Sequence, residues 1–466
     1  MLTCPNCGGN LRFDIPSQQL ACKQCQSQFD PYAFDEKTSD AKEETASDDS
    51  FEATIFTCPQ CGGEILSTDN AATGFCSFCG ASTILYSRLT REKRPAYIIP
   101  FKKTKEECKQ AYAARMKKAW FAPKELKDPA YIDSFRGIYM PYWAFYITQK
   151  GDLSLPGKKS YRKGDYIYTD HYSLTGNLNA YYKGLSYDAS SSFADNISES
   201  LAPYDVKGMK AFTPAYLSGF YADTADVDYK IYQNDAEASA VHETVDTLKK
   251  TKPFSSYTLG NISNNMLNTH TETVDRTMFP VWFLSYRKND RVAYATVNGQ
   301  TGKVVADIPV DTRKYVLSTL LLAVPIFLIL ALCVTLLPSW LLLACAILSV
   351  ISAVTCGIEH SSIRRKDENL DDRGKQYQEL HGGQNKIPVK IPKPKAPVGT
   401  VLSLIATALS MLIWFLHPVS DLWYYITAVF TLVIILVTFI DIIKAYNQLS
   451  TRRLPQFDRQ GGDDRA

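Results

Sequence analysis

The chain has 466 residues, of which 21% are charged and 45% hydrophobic, with a formal net charge of +3 and 12 cysteines. That length leaves room for several domains. A charge so close to balance gives no electrostatic bias toward nucleic acid or a strongly acidic substrate.

Eight of the cysteines open the chain as four CxxC pairs. Cys4 and Cys7 are followed by Cys22 and Cys25, and the set recurs 54 residues later as Cys58, Cys61, Cys76 and Cys79. In both sets 14 residues separate the inner cysteines, close to the spacing of known zinc sites. A CxxC turn brings two thiolates about 3.5–4 Å apart, and two such turns complete a tetrahedral sulfur shell suited to zinc. Disulfide or redox use of CxxC is the alternative. Redox motifs accompany a βαβ pattern, which is missing around these pairs. The expectation is two zinc ribbons at 1–34 and 54–90 and two zinc ions per chain. An iron-loaded, rubredoxin-like shell is the runner-up, because four thiolates alone do not choose the metal. A module of about 30 residues buries too little to fold unaided, so the metal must supply most of its folding free energy.

Between the ribbons, 35–53 reads as an acidic flexible linker, and its stretch Asp35–Glu52 holds eight acids against two lysines. This makes the ribbons independent beads. The block 91–312 reads as an α+β domain. Thr104 and Glu107 form a capping-box pattern, followed at helical spacing by Cys108, Tyr112 and Met116, so a helix should run to about Phe121. A second helix is expected from Asp235, with Val241, Val245 and Leu248 on one face. Period-two patterns over Tyr166–Tyr182 and Arg291–Asp307 favour strands, with Asn298–Lys303 as a hairpin connection. Pro141-Tyr142-Trp143 and Pro280-Val281-Trp282 each follow one of the helices, which suggests two related halves. Alternatively, both are aromatic strands that begin at a proline.

Four apolar runs follow, Tyr315–Leu337, Trp340–Ile358, Val398–Leu416 and Leu422–Ile443. Each has the length to cross a ~30 Å hydrocarbon core as helix. They divide the rest of the chain into a first transmembrane hairpin (313–358), a basic loop (359–397), a second hairpin (398–443) and a tail (444–466). Lys and Arg crowd that loop and that tail, whereas the loops at Pro338-Ser339 and His417–Asp421 have none. The positive-inside rule therefore places both termini in the cytoplasm of a multi-pass cell-membrane protein. Met1 leads into a ribbon rather than an apolar stretch, so no secretory signal is expected. A reducing cytoplasm also keeps the thiolates free for metal.

Other chemistry is sparse. Gly299–Lys303 resembles a phosphate loop, but only two residues separate its glycines and Val304 follows the lysine. It resembles instead the strand–turn–strand of PepSY-type domains. None of the six histidines forms an HExxH motif, no GxSxG elbow appears, and Cys108 sits on the apolar side of its helix. No catalytic residue is assigned, although an enzyme with a spatially assembled site in 91–312 stays open. Nucleic-acid binding is not favoured. Arg12 and Lys23 cancel against Asp14 and Asp30 in the first ribbon, and Thr54–Ser87 has no basic residue. Basic residues gather at Arg91–Asp128, twelve against five acids, where the helix either lies on anionic lipid or packs on the domain.

The ribbons resemble the transcription-factor-IIB type of zinc ribbon. The order of parts resembles a group of bacterial membrane proteins called zinc-ribbon-containing proteins. The matching pieces are Ile99–Lys102, Tyr139–Trp143, Tyr216–Asp223 and Val297–Lys303. The group carries no established activity, so the resemblance implies architecture rather than mechanism. The expected whole is multidomain: two small zinc ribbons, an α+β cytoplasmic domain and four transmembrane α-helices. The function that follows is a membrane-anchored adaptor in contact with the lipid bilayer and a cytoplasmic or membrane protein partner.

Overall fold

The computed structural model describes residues 2–34, 50–67, 76–81, 86–333, 337–381 and 398–455. Residues 35–49 of the expected linker (35–53), 382–397 of the expected basic loop (359–397) and 456–466 of the expected tail (444–466) lie outside these residues. The multidomain order holds. Two cysteine-bearing ribbons lead into a sheet-rich domain, and four long apolar helices follow.

A three-stranded antiparallel sheet, Leu11–Asp14, Gln19–Cys22 and Gln28–Phe29, makes the first ribbon. The second ribbon does not stand apart. Its strands Ser50–Thr57, Glu64–Ser67 and Tyr86–Lys93 pair with one another and join the domain's own sheet where Ser67 and Leu66 meet Tyr221 and Ala222. The expected boundaries at 53/54 and 90/91 therefore fall inside strands. A β-strand needs a neighbour for each edge group, and this pairing ignores the boundary between ribbon and domain.

The domain is built on the 28-residue strand Arg136–Lys163. Its first half pairs with Thr269–Lys288 and its second with Tyr166–Asp188. The two Pro-x-Trp segments lie in mid-strand rather than at strand starts, and they are direct neighbours, with Met140 opposite Phe279. Each indole donates to a carbonyl just before a helix. Trp143 Nε1 bonds Val227 O at 2.8 Å and Trp282 Nε1 bonds Lys103 O at 2.9 Å. The turn after Arg291–Asn298 closes as expected. Gly302 N donates to Asn298 O, and Asn298 Oδ1 accepts from the N–H groups of Gln300 and Thr301 at 2.9 Å each.

The helix Lys105–Lys118 has the predicted capping box, with Glu107 N donating to Thr104 Oγ1 and Thr104 N to Glu107 Oε2. Cys108, Tyr112 and Met116 are buried in the main core, so this helix spends its apolar face on the domain rather than on lipid. Burial pushes the Cys108 thiol upward, which leaves it neutral and inert. The second helix, Lys230–Lys250, starts one turn earlier than expected and covers Phe145, Leu153 and Leu155 with Ala236, Ala240 and Val241.

Four helices are long and apolar enough to cross a membrane: Thr312–Cys333, Pro338–Asp367, Val398–Leu416 and Asp421–Leu449. The last three pack together through small residues, among them Ala346, Ser349, Ser403, Ala406, Thr431 and Thr438, which let backbones approach in the absence of a hydrophobic drive. The first span is largely uncovered and touches the fourth where Tyr315 stacks on Phe439 at 6.0 Å. The second and fourth helices run past the apolar segments to Asp367 and Leu449. Their extra turns are polar and meet the domain. Arg291 bonds Asp367, the Thr451 hydroxyl and the carbonyls of Gln448 and Thr451, while Asn447 exchanges hydrogen bonds with the backbone of Val310. The soluble half and the ends of the second and fourth spans thus share one end of the bundle.

Candidate metal centre

All eight predicted cysteines fall into two quartets, and in each the sulfurs lie within 4.8 Å of one another. Across the first, Cys4 and Cys25 are 3.6 Å apart and Cys7 and Cys22 3.5 Å. Across the second, Cys58 and Cys79 are 3.8 Å apart and Cys61 and Cys76 3.7 Å. Metal–sulfur bonds of about 2.3 Å in a tetrahedron require edges of about 3.8 Å. Each quartet therefore has the donors and the size for one metal ion. Without a cation the thiols share protons: donation from Cys61 drives Cys58 down, and Cys61 is driven up by the same bond. Four thiolates so close together need positive charge among them.

The local cause is a turn repeated four times. The first cysteine of each pair accepts at its carbonyl from the residue four positions on: Gly8 to Cys4, Gln26 to Cys22, Gly62 to Cys58 and Gly80 to Cys76. Each of those donors has a positive φ, 73° for Gly8 and Gly62, 70° for Gly80 and 59° for Gln26. Glycine after the second cysteine meets this demand without steric cost. Gln26 is the exception, and hydrogen bonding with Ser27 beside it holds the Cys25 thiol down at about 6.

The quartets differ in exposure. Cys7 and Cys25 are exposed in the first, whereas all four are buried in the second. The reason lies outside the motifs. The second ribbon is capped by Tyr294, whose hydroxyl donates to Phe78 O at 2.7 Å, by Phe283 against Phe78, and by Leu454 from beyond the fourth span. Arg287 also donates to Gln60 Oε1 at 2.8 Å. The first ribbon docks too. Phe13 N donates to Ser218 O, the Ser218 hydroxyl to Leu11 O and Gln18 Nε2 to Phe101 O. The expectation of independent beads is therefore corrected. One segment, Tyr216–Ala222, holds the first ribbon through Ser218 and pairs with the second through Tyr221 and Ala222. The sequence had marked this segment only as a resemblance.

Below that seam lies an acidic cluster that no motif in the sequence marks. Asp223 accepts from the hydroxyls of Ser190, at 2.6 Å, and Ser192. Asp226 accepts from Ser191 N and Oγ, and Asp195 from Tyr232 and from Arg373 N, just past the second span. Burial pushes Asp188, Asp195 and Asp226 upward, and brings Asp223 to about 7. Its folded pKa lies above the unfolded one, near 3.9, so between these values only the folded state holds the proton. Stability from this group is full below pH 4 and is lost as pH rises through 7. Asp223→Asn, which mimics the protonated acid, should exceed the wild type by about 1.5 kcal/mol near pH 5 and by on the order of 4 kcal/mol near pH 8 in denaturant unfolding. Metal loss at low pH affects both chains alike. Equal stability at pH 8 would contradict this.

The uncharacterized protein YdjG of Bacillus subtilis (strain 168) is 31% identical to this chain over 322 residues, which is 67% of this chain and 90% of YdjG. The chain belongs to the YdjG family. No protein-family model matches it, and no solved structure does either. Within this family membership, the two cysteine quartets and the four apolar helices define a metal-binding-capable protein with the marks of a multi-pass membrane protein.

Proposed function

We propose that this member of the YdjG family is a non-enzymatic, membrane-anchored zinc-binding adaptor, with both termini in the cytoplasm. Zinc is favoured at both quartets by the all-thiolate tetrahedral shell and by the reducing side on which positive-inside loops place it. The observation that carries the adaptor reading is the asymmetry of the quartets. The second is closed inside the fold and serves structure. The first presents Cys7, Cys25 and the intervening Lys23 and Gln24 to solvent on a rigidly docked ribbon.

The long hairpin offers a second surface. Its apolar face is covered at Leu153, Leu155 and Leu174, then runs on uncovered as Tyr161, Tyr166 and Tyr168 between Lys159 and Lys163. Exposed tyrosines of this kind are enriched where proteins meet.

Elemental analysis of purified protein is expected to give two zinc per chain, and iron or a single zinc would contradict the reading. Crosslinking in cells should then capture specific partners with the full chain and lose them when residues 2–34 are removed. An unchanged partner set would refute the adaptor role. The deletion stops at 34 because the second ribbon is part of the sheet.

A further inference from the structure

The loop after the helix Lys105–Lys118 is stitched to the root of the first span. Asp311 N donates to Phe121 O at 2.7 Å, Lys314 Nζ donates to Ala122 O at 3.2 Å, and the Phe121 ring meets Tyr315 edge-on at 5.0 Å. Tyr315 in turn stacks on Phe439 of the fourth span. The uninterrupted apolar surface of the first span begins at Leu320, five residues beyond Tyr315, and at 1.5 Å per residue that is about 7.5 Å further along the axis. The loop is thereby fixed at the edge of the hydrocarbon.

At this level Trp120 is 80% exposed, although Met116 is buried and Phe121 packs on Tyr315. Lys117, Lys118, Lys124 and Arg313 are exposed as well, and among the described residues none of them has a carboxylate partner. Of the acids close by in sequence, Glu125 is exposed and Asp311 accepts from the N–H groups of Arg313 and Lys314. An indole beside unpaired cations at a membrane edge matches the interfacial chemistry of Trp and Lys: the ring enters the headgroup layer and each charge attracts anionic lipid.

We propose that the turn Lys117–Lys124 is an interfacial anchor that inserts Trp120 among headgroups and gathers anionic phospholipid around Lys117, Lys118 and Lys124. The helix itself stays on the domain, and only its C-terminal end and the following loop face the bilayer. The anchor would fix the height and tilt of the soluble half above the membrane, independently of what the ribbons bind.

The test uses the full chain in nanodiscs. The fluorescence of Trp120, taken as wild type minus Trp120→Phe, should be quenched at least twofold by phosphatidylcholine brominated at carbons 6 and 7. Spin-labelled phosphatidylglycerol should be enriched over phosphatidylcholine around the protein, and the triple variant K117Q/K118Q/K124Q should lower that preference at least tenfold, since each lysine contributes on the order of 1 kcal/mol near the surface and about 1.4 kcal/mol is tenfold. Metal content equal to the wild type shows that the variants are folded. An unquenched Trp120, or a preference unchanged in the triple variant, overturns the proposal.

Discussion

Cys76→Ser should release one of two metals and unfold far more than its own ribbon. The thiolate sits in a fully buried quartet, and metal binding in small zinc modules contributes about 10–16 kcal/mol. Loss of that ion removes the support under Phe78, which packs on Phe283 and accepts the Tyr294 hydroxyl. It also frees Glu64–Ser67 from Tyr221–Ala222, and with them the partner of the strand Arg136–Lys163. Hydrogen exchange should show lost protection at 64–67 and at 221–222. Cys7→Ser supplies the comparison: metal content should again fall to one, yet protection at 221–222 should persist, because Cys7 is exposed at the outer side of its ribbon. Protection retained at 221–222 in Cys76→Ser would show that the second ribbon is only lodged on the sheet.

Arg291→Ala is expected to cost about 3–5 kcal/mol, the range for breaking a buried ion pair from one side. The guanidinium and Asp367 are 19% and 12% exposed, and their closest atoms are 3.1 Å apart. Its other donors reach the Thr451 hydroxyl at 2.7 Å and the Gln448 carbonyl at 2.8 Å, so a single side chain joins the sheet to the ends of the second and fourth spans. Arg453, 3.3 Å from Asp367, softens the loss without replacing the fork. Arg291→Lys should recover little, because an ammonium cannot address three acceptors in fixed directions. The readouts are the thermal midpoint in detergent and the exchange of the amides at Arg452–Arg453, which pair with Val292 and Arg291. A midpoint within a degree of wild type would show that the junction is carried elsewhere.

Much of the architecture was legible because its signals are local. CxxC with glycine beyond it encodes a turn of positive φ, Thr104 and Glu107 encode a helix start, and apolar runs of span length encode membrane helices. The ligand quartets were legible for the same reason, since their members follow from spacing alone. What the sequence concealed is pairing at a distance. Nothing around Cys58–Cys79 says that this quartet is enclosed while Cys4–Cys25 is half open, because the cover comes from Tyr294, Phe283 and Leu454. Nothing about Ser50–Ala53 says strand rather than linker, because their partners are Thr90–Lys93 across the whole ribbon. The Asp223 cluster was likewise hidden, as isolated acids in sequence read as surface until burial sets them against serines. The basic helix left two readings open in sequence, lipid or domain, and the core that claims Cys108, Tyr112 and Met116 decides for the domain.

Leu454, which closes the second ribbon, lies beyond the fourth span in the chain. The ribosome therefore makes the ligands of the second quartet near the beginning and the residue that seals them near the end, after every membrane helix has been threaded. Tyr294 and Phe283, which precede the spans, can cover the second ribbon early, but the contact with Leu454 forms only after them. Two quartets with the same donors thus differ in when their cover is complete: the second waits for a residue near the end of the chain, whereas the first is left half open.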